Sequence, residues 1–335
     1  MTEPTSVIQQ IIAGGWRLSA LKTFVELDCA RHLAEGPLPV PELAARVGAH
    51  APSLGRVLRT LGGVGVVKAV APDTYALTDA GTLLTEGAEG SMRTALLSNM
   101  DPVLATATGE LLTETVRTGR SAFKERHGVL YDYLSKNPEL GLIFNDFMTN
   151  RALPMARGVT ERYDFSGIGT LADIGGGRGH FLAAVLRANP ALRGVLLELP
   201  HVLPDAREAF EEWGLGDRCE FVAGDFFSAV PAGADAYLLG SVVHNWDDSD
   251  ALRILTTVRA AMPDHGRLLL VEIVVPDDDT PHYGKDLDIR MMGLFGQGRE
   301  RSRSEHGALL EKAGMAITDV VPLPVDASLI EARPV

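Results

Sequence analysis

The segment LADIGGGRGHF, residues 171–181, runs an apolar stretch through Asp173 into four glycines within five residues, and an apolar pattern resumes at once. A strand that turns this tightly into a helix, with no side chains on the turn, brings its backbone within reach of a ligand. The glycine spacing is G-x-G-x-G. The dinucleotide fingerprint G-x-G-x-x-G needs a third glycine where this chain has His180, which weighs against a nicotinamide cofactor. A P-loop would close with Gly-Lys-Ser/Thr, and that closure is missing. A dinucleotide, a nucleoside triphosphate and the nucleoside of S-adenosylmethionine are the candidates for such a turn, and the loop alone does not choose between them.

From about residue 170 the apolar runs TLADIGG, GVLLELP, CEFVAGDFF, DAYLLGSVVH and GRLLLVEIVVP alternate with helical patterns. That is the βαβ signature of a parallel sheet covered on both faces. MAITDVVPLP and ASLIEARP predict two further strands as an antiparallel hairpin at one edge. Ligands bind at the carboxyl ends of such strands. The second strand ends in Glu198, 25 residues after Asp173, where an acid can accept bonds from both ribose hydroxyls. The third ends in GDFF, so Asp225 and Phe226 can serve an adenine through its amino group and its face. Each signal alone is common; three at successive strand ends, in the order one nucleoside needs, are specific.

Upstream, Ile8, Ile11, Ile12, Leu18, Leu21, Phe24, Leu27 and Leu33 give residues 5–35 a helical pattern apolar on more than one face, which suits a buried position or a subunit contact. Residues 39–85 predict a small winged-helix unit: two helices, the second ended by Gly62 and Gly63, then two strands around a Pro-Asp turn. Such units often read DNA. Here the second helix offers only Arg56 and Arg59, and 31 Lys and Arg against 44 Asp and Glu leave a net charge of −13. With so little to neutralise phosphates, nucleic acid and anionic membranes are not expected as partners, and an assembly role is expected. Residues 92–163 are mostly helical in pattern. Cys29 and Cys219 stand in no motif, and MTEPTSVIQQ lacks the basic and apolar regions of a signal peptide, so a cytoplasmic protein with reduced thiols is expected. The nine histidines form no H-x-H or H-E-x-x-H pattern, so no metal is expected.

LADIGGGRGHF, LLELPHVL, GDFFSAVPAGADAYLLGSVVHNWDD, LLLVEIVVPDDD and DLDIRMMGLFGQGRERS resemble, in order, the blocks of S-adenosylmethionine-dependent O-methyltransferases of the plant caffeate and flavonoid type, in their bacterial natural-product branch. The resemblance covers nearly the whole chain. It implies a winged-helix dimerisation domain over 1–92 and a Rossmann-like methyltransferase domain over 93–335, with a helical substrate-binding segment at 93–165, and hence a homodimer. It implies that Gly175 and Gly177 line the cofactor, that Glu198 holds its ribose, and that Asp225 and Phe226 hold its adenine. It makes His244 the general base, with Glu272 and Glu300 flanking it. Met148, Asn245, Arg290 and Met292 fall where the family lines its acceptor pocket. Two positions depart from the pattern. Many members carry a Lys where this chain has Gly240, so Ser241 would take that cofactor contact. Asn245 stands where an Asp is usual.

The expected chemistry follows. A phenol ionises near pH 10, so its proton must be taken for it to attack a sulfonium methyl, and a histidine is suited to that at neutral pH. Glu272 is read as ending the strand beside that of His244, with Glu300 in the polar GRERS loop beyond it. The expected activity is O-methylation of a hydroxyl on a small aromatic natural product. The alternatives are the same fold and cofactor turned to hydroxylation, decarboxylation or cyclisation, a winged-helix regulator with a ligand-binding domain, and a nicotinamide oxidoreductase.

Overall fold

Every apolar run after residue 169 forms a strand of one sheet in the computed structural model, which describes residues 4–88 and 90–335. The strands are β4 (Thr170–Ile174), β5 (Arg193–Glu198), β6 (Cys219–Ala223), β7 (Ala236–Gly240), β8 (Arg267–Val275), β10 (Met315–Pro322) and β11 (Ala327–Pro334); a two-residue strand β9 (Arg301–Ser302) pairs with the end of β8. The order is β10-β11-β8-β7-β4-β5-β6. Pairs from β8 to β6 are parallel, and the β10–β11 hairpin joins β8 antiparallel, as its pattern predicts. The order reverses at β4, which lies between β5 and β7, so a crevice opens at the carboxyl ends of those strands.

The near-continuous apolar character of β4, β7 and β8 fits burial on both faces. One face packs Leu171, Leu238, Leu269, Val271 and Leu329 under the helix His180–Ala188, through Leu182, Val185 and Leu186. The other packs Ala172, Tyr237, Leu239 and Leu270 under Asp248–Ala261, through Ile254, Leu255 and Val258.

The chain divides into two compact units: Met1–Leu104 with Pro138–Asn150, and Ala105–Asn137 with Arg151–Val335. The long helix Pro138–Arg162 contributes to each. In the first unit, β1 (Leu38–Pro39), β2 (Val67–Ala71) and β3 (Thr74–Leu77) form a sheet in the order β1-β3-β2. The helices Val40–Arg46 and Ala51–Gly62 complete the winged-helix pattern around Leu43, Leu54, Leu58 and Leu61. The long N-terminal pattern is two helices, Pro4–Glu26 and Cys29–Ala34, broken where Asp28 takes a left-handed φ of 55°. Val7, Ile8, Ile11, Ile12 and Trp16 of the first helix are exposed. Cys29 and Cys219 are free and buried, and burial pushes each thiol up to about 12. No helix among the described residues is long and apolar enough to cross a membrane.

Candidate active site

The first half of the site lies where β4, β5 and β6 end. Gly175, Gly177 and Gly179 all take positive φ (69°, 60° and 81°), which L side chains adopt only at a cost. Gly176 is excluded from carrying a side chain by contact rather than by φ: its Cβ would lie 2.3 Å from Asp173 Oδ2 and 2.7 Å from Leu196 Cδ1. A Cβ on Gly177 would meet nothing within 4 Å, so the loop's outer face is open. Glu198 reaches that face: its Oε1 accepts the Gly177 N–H at 3.3 Å and its Oε2 accepts the Leu199 N–H. Below the loop, Asp173 is buried with neither carboxylate oxygen hydrogen-bonded. Burial, reinforced by the Glu198 charge, pushes its carboxyl up to about 7. Asp225 is exposed and accepts the Phe227 N–H at 2.9 Å. Phe226 packs on Phe227 and, edge-on, against Trp246, whose ring belongs to the core cluster beneath. His180 stacks against Trp213, with ring centroids 5.2 Å apart, filling the place a third glycine would have left open.

These residues fit a nucleoside. An open glycine cradle, an acid at the next strand end and an acid with an aromatic ring at the one after supply a flat approach, hydroxyl acceptors and a base-stacking face.

The second half lies where β7 and β8 end. Gly240 closes β7 opposite Val271, so Glu272, the next residue of β8, stands just beyond the end of its neighbour. Glu272 therefore does not end its strand, as its spacing suggested; β8 continues to Val275 because β9 and β11 pair with it there. Its Oε1 accepts the Val242 and Val243 N–H groups at 3.2 and 2.9 Å, which fixes the turn carrying His244. His244 is buried, with Nδ1 2.9 Å from Glu300 Oε1 and 3.8 Å from Glu272 Oε2. Burial pushes the Glu272 carboxyl up, and the His244 charge opposes this. With Nδ1–H directed at Glu300, the tautomer is set and Nε2 is the nitrogen left for other work. The three residues present ligand atoms within 4.8 Å of one another, so they are also the only cluster among the described residues that a cation could use. The 2.9 Å Nδ1–Oε1 contact is of hydrogen-bond length, which suits an oriented imidazole.

The GRERS loop, residues 298–302, builds this half through successive contacts. A Cβ on Gly298 would lie 2.9 Å from the His244 carbonyl oxygen, so the backbones approach closely only because it is glycine. The Arg299 N–H donates to that same oxygen at 2.8 Å. Glu300 holds the imidazole, and its own N–H donates to Asp288 Oδ1 at 2.7 Å. Arg301, whose side chain is fully enclosed, donates to the carbonyls of Val243 and Trp246 at 3.1 and 2.8 Å and grips Asp248 Oδ1 through two nitrogens at 3.0 and 2.9 Å. Ser302 starts the helix Arg303–Lys312 with a capping box shared with Glu305. Gly298, Arg301, Asp288 and Asp248 were not singled out from sequence. The burial of Glu300, Arg301 and Ser302 in succession becomes visible only once β9 is known to be a strand.

Ser241, between the halves, takes a left-handed φ of 55°, donates its N–H to Val271 O at 2.9 Å and accepts the Asn245 amide on its carbonyl at 3.2 Å. A Cβ on Gly240 would press to 3.0 Å from the Phe181 ring, so the position leaves little room for the Lys of the family pattern. Arg290 and Met292 lie on the helix Tyr283–Phe295 and are half-buried. Met148 is half-buried and belongs to the first unit, whereas the other residues of the site belong to the second.

Comparison with known proteins matches residues 110–316 to the O-methyltransferase domain and residues 9–87 to the O-methyltransferase dimerisation domain. A phenazine O-methyltransferase of Lysobacter antibioticus is 40% identical over 333 residues, 99% of this chain and 96% of its own length. The structure of a methyltransferase of calicheamicin biosynthesis in its S-adenosylhomocysteine-bound form superposes with a TM-score of 0.89 at 32% identity, covering 100% of both chains. An aclacinomycin 10-hydroxylase of Streptomyces purpurascens is 34% identical over 322 residues, 93% of this chain and 86% of its own length.

Proposed function

This chain belongs to the family of S-adenosylmethionine-dependent O-methyltransferases with an N-terminal dimerisation domain, and from that premise we propose that it methylates a phenolic hydroxyl of a small aromatic natural product with His244 as general base. S-adenosylmethionine, when bound, supplies a methyl group on a sulfonium, an electrophile with its leaving group built in. Glu198 holds the ribose hydroxyls, Asp225 and Phe226 hold the adenine, Gly175 and Gly177 keep the approach clear, and Ser241 faces the cofactor. His244 Nε2 takes the proton of the acceptor hydroxyl. Glu300 accepts from Nδ1–H and offsets the positive charge that the ring then carries, while Glu272 fixes the turn and adds negative charge to the same end of the ring. Asn245, Arg290 and Met292 form the acceptor's surroundings. The N-terminal domain joins two copies through the exposed apolar face of its first helix.

The observation that carries the reading is the buried 2.9 Å contact between His244 Nδ1 and Glu300, at the sheet edge next to the glycine loop. Replacing His244 with Ala should lower turnover by about 10²–10⁴-fold while S-adenosylhomocysteine still binds, as seen by calorimetry; turnover within a few-fold of the parent rejects the base. A second reading, in which the same cofactor supports another reaction, draws on the tight packing at Gly240 and on the 10-hydroxylase relative. Conversion of aromatic acceptors without release of S-adenosylhomocysteine would favour it.

A further inference from the structure

His244, Glu272 and Glu300 come from three separate segments and meet in the interior, with exposures of 4%, 1% and 3%. One ligand atom from each lies within 4.8 Å of the other two. His244 Nδ1 is 2.9 Å from Glu300 Oε1 and 3.8 Å from Glu272 Oε2. The hydrogen bonds of the cluster leave capacity unused. Glu272 Oε1 is committed to the Val242 and Val243 N–H groups, but its Oε2 is enclosed, turned towards the imidazole and without a hydrogen-bond partner. Glu300 Oε2 is likewise enclosed and without one. Enclosed carboxylate oxygens with no partner are costly, and two of them beside one imidazole leave an excess of negative charge that a bound cation would offset.

The donor set selects among cations. One imidazole nitrogen and two carboxylate oxygens suit Zn²⁺, which binds His and Glu at about 2.0–2.2 Å in a tetrahedron. Bonds of about 2.1 Å set tetrahedral ligand atoms about 3.4 Å apart. The two distances from Nδ1 fall on either side of that separation. Mg²⁺ fits the same set poorly, because it asks for an octahedron of oxygens and gives up its water reluctantly. No local spacing in the sequence announces such a site, since its ligands are far apart along the chain.

We propose that His244, Glu272 and Glu300 form a zinc site, with His244 Nδ1, Glu272 Oε2 and a Glu300 oxygen as ligands and water in the fourth position, and that an ion bound there switches methyl transfer off. The switch rests on His244 as general base; the binding does not. A neutral imidazole carries one proton. With that proton on Nδ1 and directed at Glu300, Nε2 offers its lone pair to the acceptor hydroxyl. A zinc ion needs the lone pair of Nδ1, so the ring's proton moves through solvent to Nε2 and none is lost. Nε2–H donates but cannot take a proton, and the acceptor keeps its own. The ion thus competes with the bond from Nδ1–H to Glu300 and not with the cofactor, because Gly177 and Glu198 take no part in the cluster.

The test titrates Zn²⁺ into the full, chelator-treated chain by calorimetry. One ion per chain should bind in the micromolar range, and excess Mg²⁺ should not displace it. Glu272→Gln keeps an acceptor for the two N–H groups and Glu300→Gln keeps one for Nδ1–H, yet each removes a ligand. Each should weaken binding by at least about tenfold, the least that loss of even an outer partner of a metal costs. In crystals of the parent soaked with Zn²⁺, anomalous scattering should place the ion about 2.0–2.2 Å from Nδ1 and from one oxygen of each carboxylate. Methylation of a phenolic acceptor should fall as the site fills and return on adding EDTA. No binding in the micromolar range, parent-like affinity in both Gln variants, or an anomalous peak only elsewhere overturns the proposal. The base reading is judged separately. If the ion binds at the cluster while methylation continues, the zinc site stands and the switch falls together with the base. If no ion binds and His244→Ala abolishes methylation, the base stands and the zinc site falls.

Discussion

Where β4, β5 and β6 end, the site is made of backbone and of partly open acids; where β7 and β8 end, it is made of enclosed charges that touch one another. In the first half, Gly177 and Glu198 come from neighbouring strand ends and meet through one N–H. In the second, His244, Glu272, Glu300 and Arg301 come from three segments, and each fixes the position of another. The contrast teaches how the two proposed tasks differ. Binding a nucleoside asks for a clear approach and a few acceptors facing outward. Removing a proton at neutral pH asks for one imidazole held in one tautomer and orientation, which takes several buried partners.

The comparison can be broken at the second half first. Glu300→Gln keeps an acceptor for Nδ1–H but removes the charge. If charge assistance matters there as argued, kcat should fall about tenfold or more, since charge-assisted bonds exceed neutral ones by about 1–1.5 kcal/mol. A parent-like kcat would reduce Glu300 to a steric prop. Arg301→Met removes the side-chain bonds to the carbonyls of Val243 and Trp246 and leaves Asp248 without its arginine, and should cost about 2–3 kcal/mol in urea unfolding. A loss below about 0.5 kcal/mol would mean the loop holds itself.

Asp173 sharpens the comparison from the other side, because it is the one enclosed charge in the first half. Its carboxyl is held up at about 7 in the fold against about 3.9 in an unfolded chain. Between these values the unfolded chain gives up a proton that the fold retains, so this residue's contribution grows less favourable as pH rises from about 4 to about 7, and the full penalty persists above that. Asp173→Asn should therefore raise the melting temperature of the cofactor-free protein more at pH 8 than at pH 5. An equal change at both pH values would show that Asp173 is ionised throughout. The smallest effect is expected at Gly240→Ala, where the Phe181 ring must give by a few tenths of an ångström; a cost of about 1 kcal/mol in the same urea assay is expected, and a gain in stability would show that the ring is loosely held.

What could be read from the chain divides along the same line. The glycine spacing, the period-two runs and the closing hairpin are local signals, and β4 to β8, β10 and β11 follow them. The placement of Glu198, Asp225 and Phe226 at or just past strand ends was legible, because the period of each run announces where its strand stops. The second half depends on distant pairing. That Glu272 lies inside its strand follows from β9 and β11 extending β8, and neither partner is visible near residue 272. Arg301 looks like one more surface charge in a polar loop; only its pairing opposite Val274 turns it inward. The break at Asp28 was hidden too, since the apolar period runs across it without a glycine or proline to mark the turn.

Residues 298–302 also make His244, the proposed base, mechanically continuous with the helix that Ser302 caps. A fluctuation that frays the first turn of Arg303–Lys312 tugs on Arg301 and Glu300 before it disturbs the seven longer strands of the large sheet. Warming the enzyme should thus silence it while its circular dichroism still reports an intact β-sheet, and cooling should restore it without a refolding lag.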